Sequence, residues 1–444
     1  MERIERRVPF WPPSRFQSHE VRATAFAFAC NFMLMASYYL LRPVRDAMAT
    51  VFGVDHLGEL FTGTLVLTTI CSPVFAWATD RFKLSLVLPG VFGFLIINLV
   101  GFSFWFANAP DSRLLAAVFY WWFSVVNLFM VSVFWSLVVD TFTPEQSSRL
   151  LPRIAAGGSL GAIAGPLVVA LTVRSIAIPG IMMLAAAGLL VVILLVRCVI
   201  NEKRWLQATQ QQVQDSSLEQ RLSGGAWDGF RLLLSSKYQL NQALFILMMT
   251  WTATVGYFLQ TEMVAAAFDD IASRTRALAD IDLIVNVASA AIAMFGLGRF
   301  ITRFGVTAGL VLNPVLVAAS FVLMVLSPTL IMLQAMQAVR RVTQYAIARP
   351  TREICFTVVD QESRYKTKNV IDVLFYRLGD VSSAWVQTGM RWAGLGTYAT
   401  LGLGVIASGL WAVSAWTLGR QYENRRRRAG NSGTPDGPSD DPGG

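Results

Sequence analysis

Apolar runs of membrane-crossing length recur along almost the whole sequence, and no other feature narrows the possible folds as much. A helix needs roughly 20 mainly apolar residues to cross a bilayer. Twelve such runs can be marked, at about 24–41, 58–78, 85–107, 114–139, 153–173, 178–199, 240–261, 281–299, 306–326, 330–350, 369–390 and 397–418. With 54% hydrophobic residues, 15% charged and a mean hydropathy of +0.51, a chain of 444 residues has too little polar surface to cover a water-soluble body. The expected fold is all-α, a polytopic membrane protein of about twelve transmembrane helices.

Basic residues set the expected orientation, because loops rich in Lys and Arg stay cytoplasmic. With both termini inside, the inner segments hold 27 of the 37 Lys and Arg, and the outer loops hold seven: Arg42, Arg45, Arg113, Arg174, Arg274, Arg276 and Arg391. Three more, Arg340, Arg341 and Arg377, fall within spans. The net charge of +9 is therefore largely topology and asks for no nucleic-acid partner. The segment RRVPFWPPSR precedes the first apolar run without a small-residue cleavage site behind it, so the first span is expected to stay, in the inner membrane. Cys30, Cys71, Cys198 and Cys355 show no metal-like spacing and are expected as free thiols. With two histidines in the chain, a histidine-based metal site is not expected, and no cofactor is.

The two halves echo each other. Glu145-Gln-Ser-Ser-Arg149 and Asp360-Gln-Glu-Ser-Arg364 each follow a Phe-Thr pair, Phe142-Thr143 and Phe356-Thr357, and each lies between corresponding spans. The reading is a duplicated architecture: a tail at 1–23, a six-helix half at 24–200, a polar linker at 201–239, a second six-helix half at 240–418, and a basic tail at 419–444. Small residues four apart, Gly157, Gly161 and Gly165, share one face of span five and suit close helix packing.

Charges inside the apolar spans carry the functional argument, because ionisable groups at membrane depth normally face the bundle interior and mark a pathway. The first span ends in Arg42, Pro43, Arg45 and Asp46, and Glu262 holds the corresponding station in the second half. Snorkelling to the headgroups is the competing reading for the two arginines. In span ten, Arg340 and Arg341 are neighbours and point about 100° apart, so at least one must face a partner or an aqueous cavity. Span eleven carries Asp372, Arg377 and Asp380; Arg377 and Asp380 can also pair along the helix. Asp80, Arg81 and Lys83 follow span two, and Arg303 follows span eight. These turns fit a gate of exchanging salt bridges or a plain positive-inside turn.

Three stretches carry a resemblance: LLRPVRDAM, FWSLVVDTFTPEQSSRLLPRIAAGGSLGAIAGP, and the segment from Arg352 to Asp380 containing DQESRYKTKNVIDV and RLGD. In these the chain resembles the ATP:ADP antiporters, nucleotide transporters of plastids and intracellular bacteria, whose fold is similar to that of the major facilitators. The resemblance implies two pseudo-symmetric six-helix halves and charged helix residues that handle nucleotide phosphates. Carried over by position, the basic residue of the family's first helix matches Arg45, and the acidic residue of its seventh matches Glu262. The basic-Glu pair before its eleventh helix matches Arg352-Glu353, and its acidic-Ser-basic loop falls on Asp360, Ser363, Arg364, Lys366 and Lys368. The chain departs where Asp380 replaces a lysine, and where the fourth helix offers Ser124, Val125 and Asn127 in place of a glutamate. The loop after span two is also similar to the Asp-Arg-bearing loop of the major facilitators, without its leading glycine.

The expectation is a secondary transporter of a small anionic solute, most plainly ATP/ADP exchange, working by alternating access as a monomer. Arg42, Arg45, Arg340 and Arg341 are the candidate phosphate or carboxylate contacts, with Glu262, Asp372, Arg377 and Asp380 as exchange partners. No P-loop pattern is present, so nucleotide would be cargo and not fuel, and no enzyme chemistry is expected. Proton-coupled transport of another organic anion, resting on the membrane carboxylates, and a non-transporting scaffold are the alternatives.

Overall fold

The computed structural model describes residues 18–81, 84–209, 226–295, 297–359, 367–368 and 370–431. Lys83, Asp360, Ser363, Arg364 and Lys366 lie outside the described residues, as do most of the polar linker and both ends of the chain. Among the described residues every regular element is helical.

The helices are α1 (Ser18–Phe52), α2 (Leu57–Arg81), α3 (Leu84–Asn108), α4 (Arg113–Thr141), α5 (Pro144–Thr209), α6 (Ala226–Ser235), α7 (Lys237–Ala267), α8 (Ile271–Phe295), α9 (Leu297–Leu326), α10 (Leu330–Thr343), α11 (Arg349–Cys355), α12 (Tyr376–Trp392) and α13 (Thr397–Asn431). A π-helical turn, Gln344–Ala348, joins α10 to α11, and another, Val370–Phe375, leads into α12. Nine helices among the described residues are long and apolar enough to cross a membrane. One of them, the 56-residue apolar stretch of α5 from Arg149 to Arg204, is two spans. As a single rod it would run about 84 Å, whereas the hydrocarbon core is about 30 Å thick, and the helix breaks at Ala177, two residues before Pro179. The two expected spans that remain, 330–350 and 369–390, are less apolar because they hold Arg340 and Arg341, and Asp372, Arg377 and Asp380. Counted this way, the described helices supply the twelve expected spans.

Several boundaries move. Helix α8 starts ten residues before the expected 281, so Arg274 and Arg276 lie in its first turns and not in a loop. Its polar start resembles a loop by composition, but Asp270 caps it, accepting from the Ser273 backbone N–H at 2.7 Å. The Ser273 side chain, with that backbone bond, holds the Asp270 carboxyl below its ordinary range. Helix α1 likewise continues through Pro43 to Phe52, so Arg42 and Arg45 are helical residues.

The chain divides into two compact units, Met1–Arg45 with Leu67–Glu219, and Asp46–Val66 with Gln220–Gly444. In the first unit α5 grips α1. A Cβ added at Gly157 would sit 2.4 Å from the Phe28 carbonyl oxygen, at Gly161 2.2 Å from that of Phe32, and at Gly165 2.8 Å from that of Ala36. The small-residue face thus meets the α1 backbone turn by turn, an approach only glycine permits. The start of α5 carries a reciprocal cap. Gln146 N–H donates to Thr143 Oγ1 and Thr143 N–H to Gln146 Oε1, with Pro144 as the first helical residue.

In the second unit α13 packs on α7 and α9 around buried Trp411, Phe245 and Phe321. Gly379 brings α12 close to α7, where an added Cβ would overlap Thr250 Oγ1.

Candidate functional site

In the second unit, the adjacent arginines of α10 face different partners, as their helical positions require. Arg341 is 5% exposed and donates from Nη2 to Asp282 Oδ1 of α8 at 2.5 Å. Asp282 is itself 2% exposed. Arg340 turns instead to neutral amides: its Nε donates to Gln337 Oε1 at 3.0 Å and its Nη1 to Gln344 Oε1 at 3.3 Å. Gln337 in turn donates to Gln260 Oε1 at 2.6 Å and to the Gly256 carbonyl at 3.2 Å, both on α7. The π-turn begins at Gln344, and such widened turns commonly re-aim side chains at functional sites.

Helix α12 brings a second set alongside. Tyr376 lies within electrostatic reach of Asp380, Arg377, Arg340 and Tyr345. Tyr376 and Tyr345 keep 36% and 37% of their surface exposed. Asp380 accepts from Thr254 Oγ1 of α7 at 3.4 Å. Arg340, Arg377 and Asp380, all named from sequence, are therefore brought together.

Asp372 belongs to a different group. Arg352 donates to it from Nη1 at 2.6 Å and to Glu353 at 3.2 Å, while Lys368 reaches Glu353 at 2.5 Å. Burial works against the Glu353 charge, but the bonds from Lys368 and Arg352 win and hold its carboxyl below the ordinary range. Glu262 forms a third group. Arg391 bridges Glu262 Oε2 at 2.8 Å and Asp55 Oδ1 at 2.7 Å, and Thr397 Oγ1 donates to Glu262 Oε1 at 2.9 Å.

In the first unit Arg42 and Arg45 are half-buried in aromatic surroundings. The Arg42 guanidinium lies 5.5 Å from the Tyr39 ring centre, and Arg45 lies 5.2 Å from Tyr120 and 5.6 Å from Phe123. Tyr38 stacks on Phe123 at 5.0 Å. Such faces attract guanidinium without removing its charge. In the same unit Arg149 of the echoed motif pairs with Glu20 at 2.7 Å. Of the candidate gate residues, Asp80 lies in the last turn of α2 with its side chain outside the described residues, while Arg81 and Arg303 are exposed.

Sequence reading passed over Asp282, the glutamines around Arg340, the two tyrosines and the pairing of Arg391. The glutamines were within reach: Gln337 and Gln344 stand three before and four after Arg340, on its own helix face. Asp282 offered no such spacing, because it comes from another helix.

Comparison with known proteins agrees with this architecture. The chain is 22% identical over 431 residues to ADP,ATP carrier protein 1 of Chlamydia pneumoniae, covering 90% of this chain and 78% of that protein. Among solved structures it is similar to the nucleoside transporter NupG, with a TM-score of 0.57 at 14% identity over 92% of this chain and all of that one. A POT family transporter in complex with 5-aminolevulinic acid is similar at a TM-score of 0.59 and 12% identity, covering 90% of this chain and 96% of that one. At these identities the structures show the fold alone. The Major Facilitator Superfamily profile matches residues 27–340, well over half the chain, and with the helical architecture this places the protein in that superfamily as a polytopic membrane transporter.

Proposed function

We propose that this transporter moves a small anionic solute of the nucleotide class, in ATP/ADP-type exchange, across the inner membrane by alternating access, with both termini cytoplasmic. The observation that carries the reading is the pairing of arginine with aromatic side chains. Arg340 and Arg377 stand beside Tyr345 and Tyr376 in the second unit, and Arg42 and Arg45 stand on Tyr39 and Tyr120 in the first. Guanidinium groups recognise phosphate oxygens through paired, charge-assisted bonds, and aromatic faces take the base. The chain-wide likeness to an ADP,ATP carrier supports the same class. Arg42, Arg45, Arg340 and Arg377 are assigned to solute contact. Asp380 is the exchange partner of Arg340 and Arg377 in the second unit, and Asp372 and Glu262 act with Arg352 and Arg391 in closure. Arg341, held by Asp282, braces α10 against α8.

Asp380 supports a second reading, proton-coupled transport of another organic anion. It is a carboxylate beside Arg377 at the station where the antiporters carry lysine. Purified protein in liposomes separates the two. Exchange predicts labelled ATP uptake only into ADP-loaded vesicles, and uptake no greater than into empty vesicles across a nucleotide panel refutes it. Proton coupling predicts uptake that follows an imposed pH gradient and is lost in Asp380→Asn.

A further inference from the structure

Helix α13 ends in a dense positive charge: Arg420–Arg428 holds five arginines and one acidic residue. Upstream, one side of the helix is apolar and exposed, with Ile406, Leu410, Val413 and Trp416 recurring at steps of three and four. On a membrane-spanning helix such a face meets lipid. The same face continues as Arg420, Asn424 and Arg427, all exposed, so the lipid-facing stripe turns basic without leaving its side of the helix. The change falls at Trp416, over whose ring the Arg420 guanidinium lies at 3.9 Å. Trp gathers at the membrane–water boundary, and Arg there extends its charged head into the headgroups. Height follows from the helix rise: Arg420 stands about 6 Å beyond Trp416, and Arg427 about 10 Å farther. A headgroup layer is about 5–8 Å deep, and helical side chains lean back toward the start of their helix, here toward the bilayer. Arg420 is therefore at phosphate level, and Arg427 lies within about one Debye length of the surface. The helix end is also held in place. Tyr422 is buried, Thr307 Oγ1 of α9 donates to Glu423 Oε1 at 2.6 Å, and the Arg425 guanidinium lies 4.5 Å from the ring centre of Tyr238 on α7. Gly419 permits the close approach to α9, since a Cβ there would sit 2.5 Å from Thr307 Oγ1. Helix α6, which leads directly into α7 at that end, adds exposed Arg231 and Leu234.

We propose that the last turns of α13, through Arg420 and Arg427, form a docking surface for the headgroups of anionic phospholipids at that face of the membrane. Phosphate oxygens accept paired, charge-assisted bonds from guanidinium. A patch already fixed by Tyr422 and Glu423 meets them without first ordering a loose tail. Glu423, the one acidic residue of the segment, is engaged by Thr307 of α9. The surface concerns lipid and not solute, so it holds whichever anion the protein carries.

The test captures the full-length protein in neutral detergent, adds mixed micelles of labelled phosphatidylglycerol or labelled phosphatidylcholine, and measures retained lipid against its mole fraction. Wild type is expected to retain phosphatidylglycerol in preference, and less of it as salt rises from about 0.1 to 1 M. Each arginine near an anionic surface is worth about five-fold in affinity, so Arg420→Gln with Arg427→Gln should raise the half-saturating mole fraction about ten-fold or more. Arg420→Lys with Arg427→Lys keeps the charge and should stay within about three-fold of wild type. Both pairs should melt with wild type in neutral detergent, because the side chains are exposed. If the glutamine pair melts lower, Arg427→Gln alone carries the comparison, with an expected shift of about five-fold. Equal retention of the two lipids by wild type overturns the proposal, as does a folded glutamine variant that binds phosphatidylglycerol like wild type. Displacement of the lipid by inorganic phosphate beyond that by chloride at equal ionic strength also overturns it, by making the surface a site for a soluble anion.

Discussion

The buried pair of Arg341 and Asp282 gives the sharpest energetic test. At 2.5 Å and an effective dielectric constant near 20, the attraction between unit charges is about 6–7 kcal/mol. Desolvating two groups that are 7% and 2% exposed offsets most of this, so the pair as a whole contributes little net stability. Removing one partner is different, because the other charge stays buried without its ion pair, at a cost of about 3–5 kcal/mol. Arg341→Met and Asp282→Leu are each expected to lose on that order, while the double variant recovers most of the loss. Unfolding free energies in mixed detergent micelles, arranged as a double-mutant cycle, measure the coupling directly. The double variant is expected to transport with wild-type affinity, as the proposed bracing role of Arg341 requires. Single losses below about 1 kcal/mol that simply add in the double variant would show the pair to be solvated and the reasoning wrong.

Three further outcomes follow from local geometry. Gly161→Ala places a Cβ 2.2 Å from the Phe32 carbonyl oxygen, and it should lower stability by about 1–3 kcal/mol; Gly101→Ala, with nothing within 4 Å, is the matched control and should cost nothing by the same melting assay. Ala177 holds φ 55° and ψ 179°, a region that strains any side chain, so Ala177→Gly should raise stability by about 1 kcal/mol and Ala177→Val should lower it. Because the Glu353 carboxyl is held below its ordinary value of 4.5, its contribution is complete above that pH and is lost as pH falls through the lower folded value. The melting-temperature gap between wild type and Glu353→Gln should therefore be level at neutral pH and close on acidification, and a gap that widens in acid would contradict the assignment.

The run lengths of apolar residues determined the helical membrane fold from sequence alone, because a bilayer leaves a spanning backbone few ways to satisfy its N–H and C=O groups. The glycine face of α5 was equally legible, since helical periodicity puts Gly157, Gly161 and Gly165 in one line whatever they pack against. Periodicity also required Arg340 and Arg341 to diverge. Tertiary structure alone decided which arginine met a carboxylate and which met amides, because Asp282, Gln260 and Gly256 come from other helices. The same holds for Asp372 and Glu262. Their partners, Arg352 at twenty positions' distance and Arg391 at more than a hundred, are chosen by how helices pack, and spacing along a single helix carries no record of that.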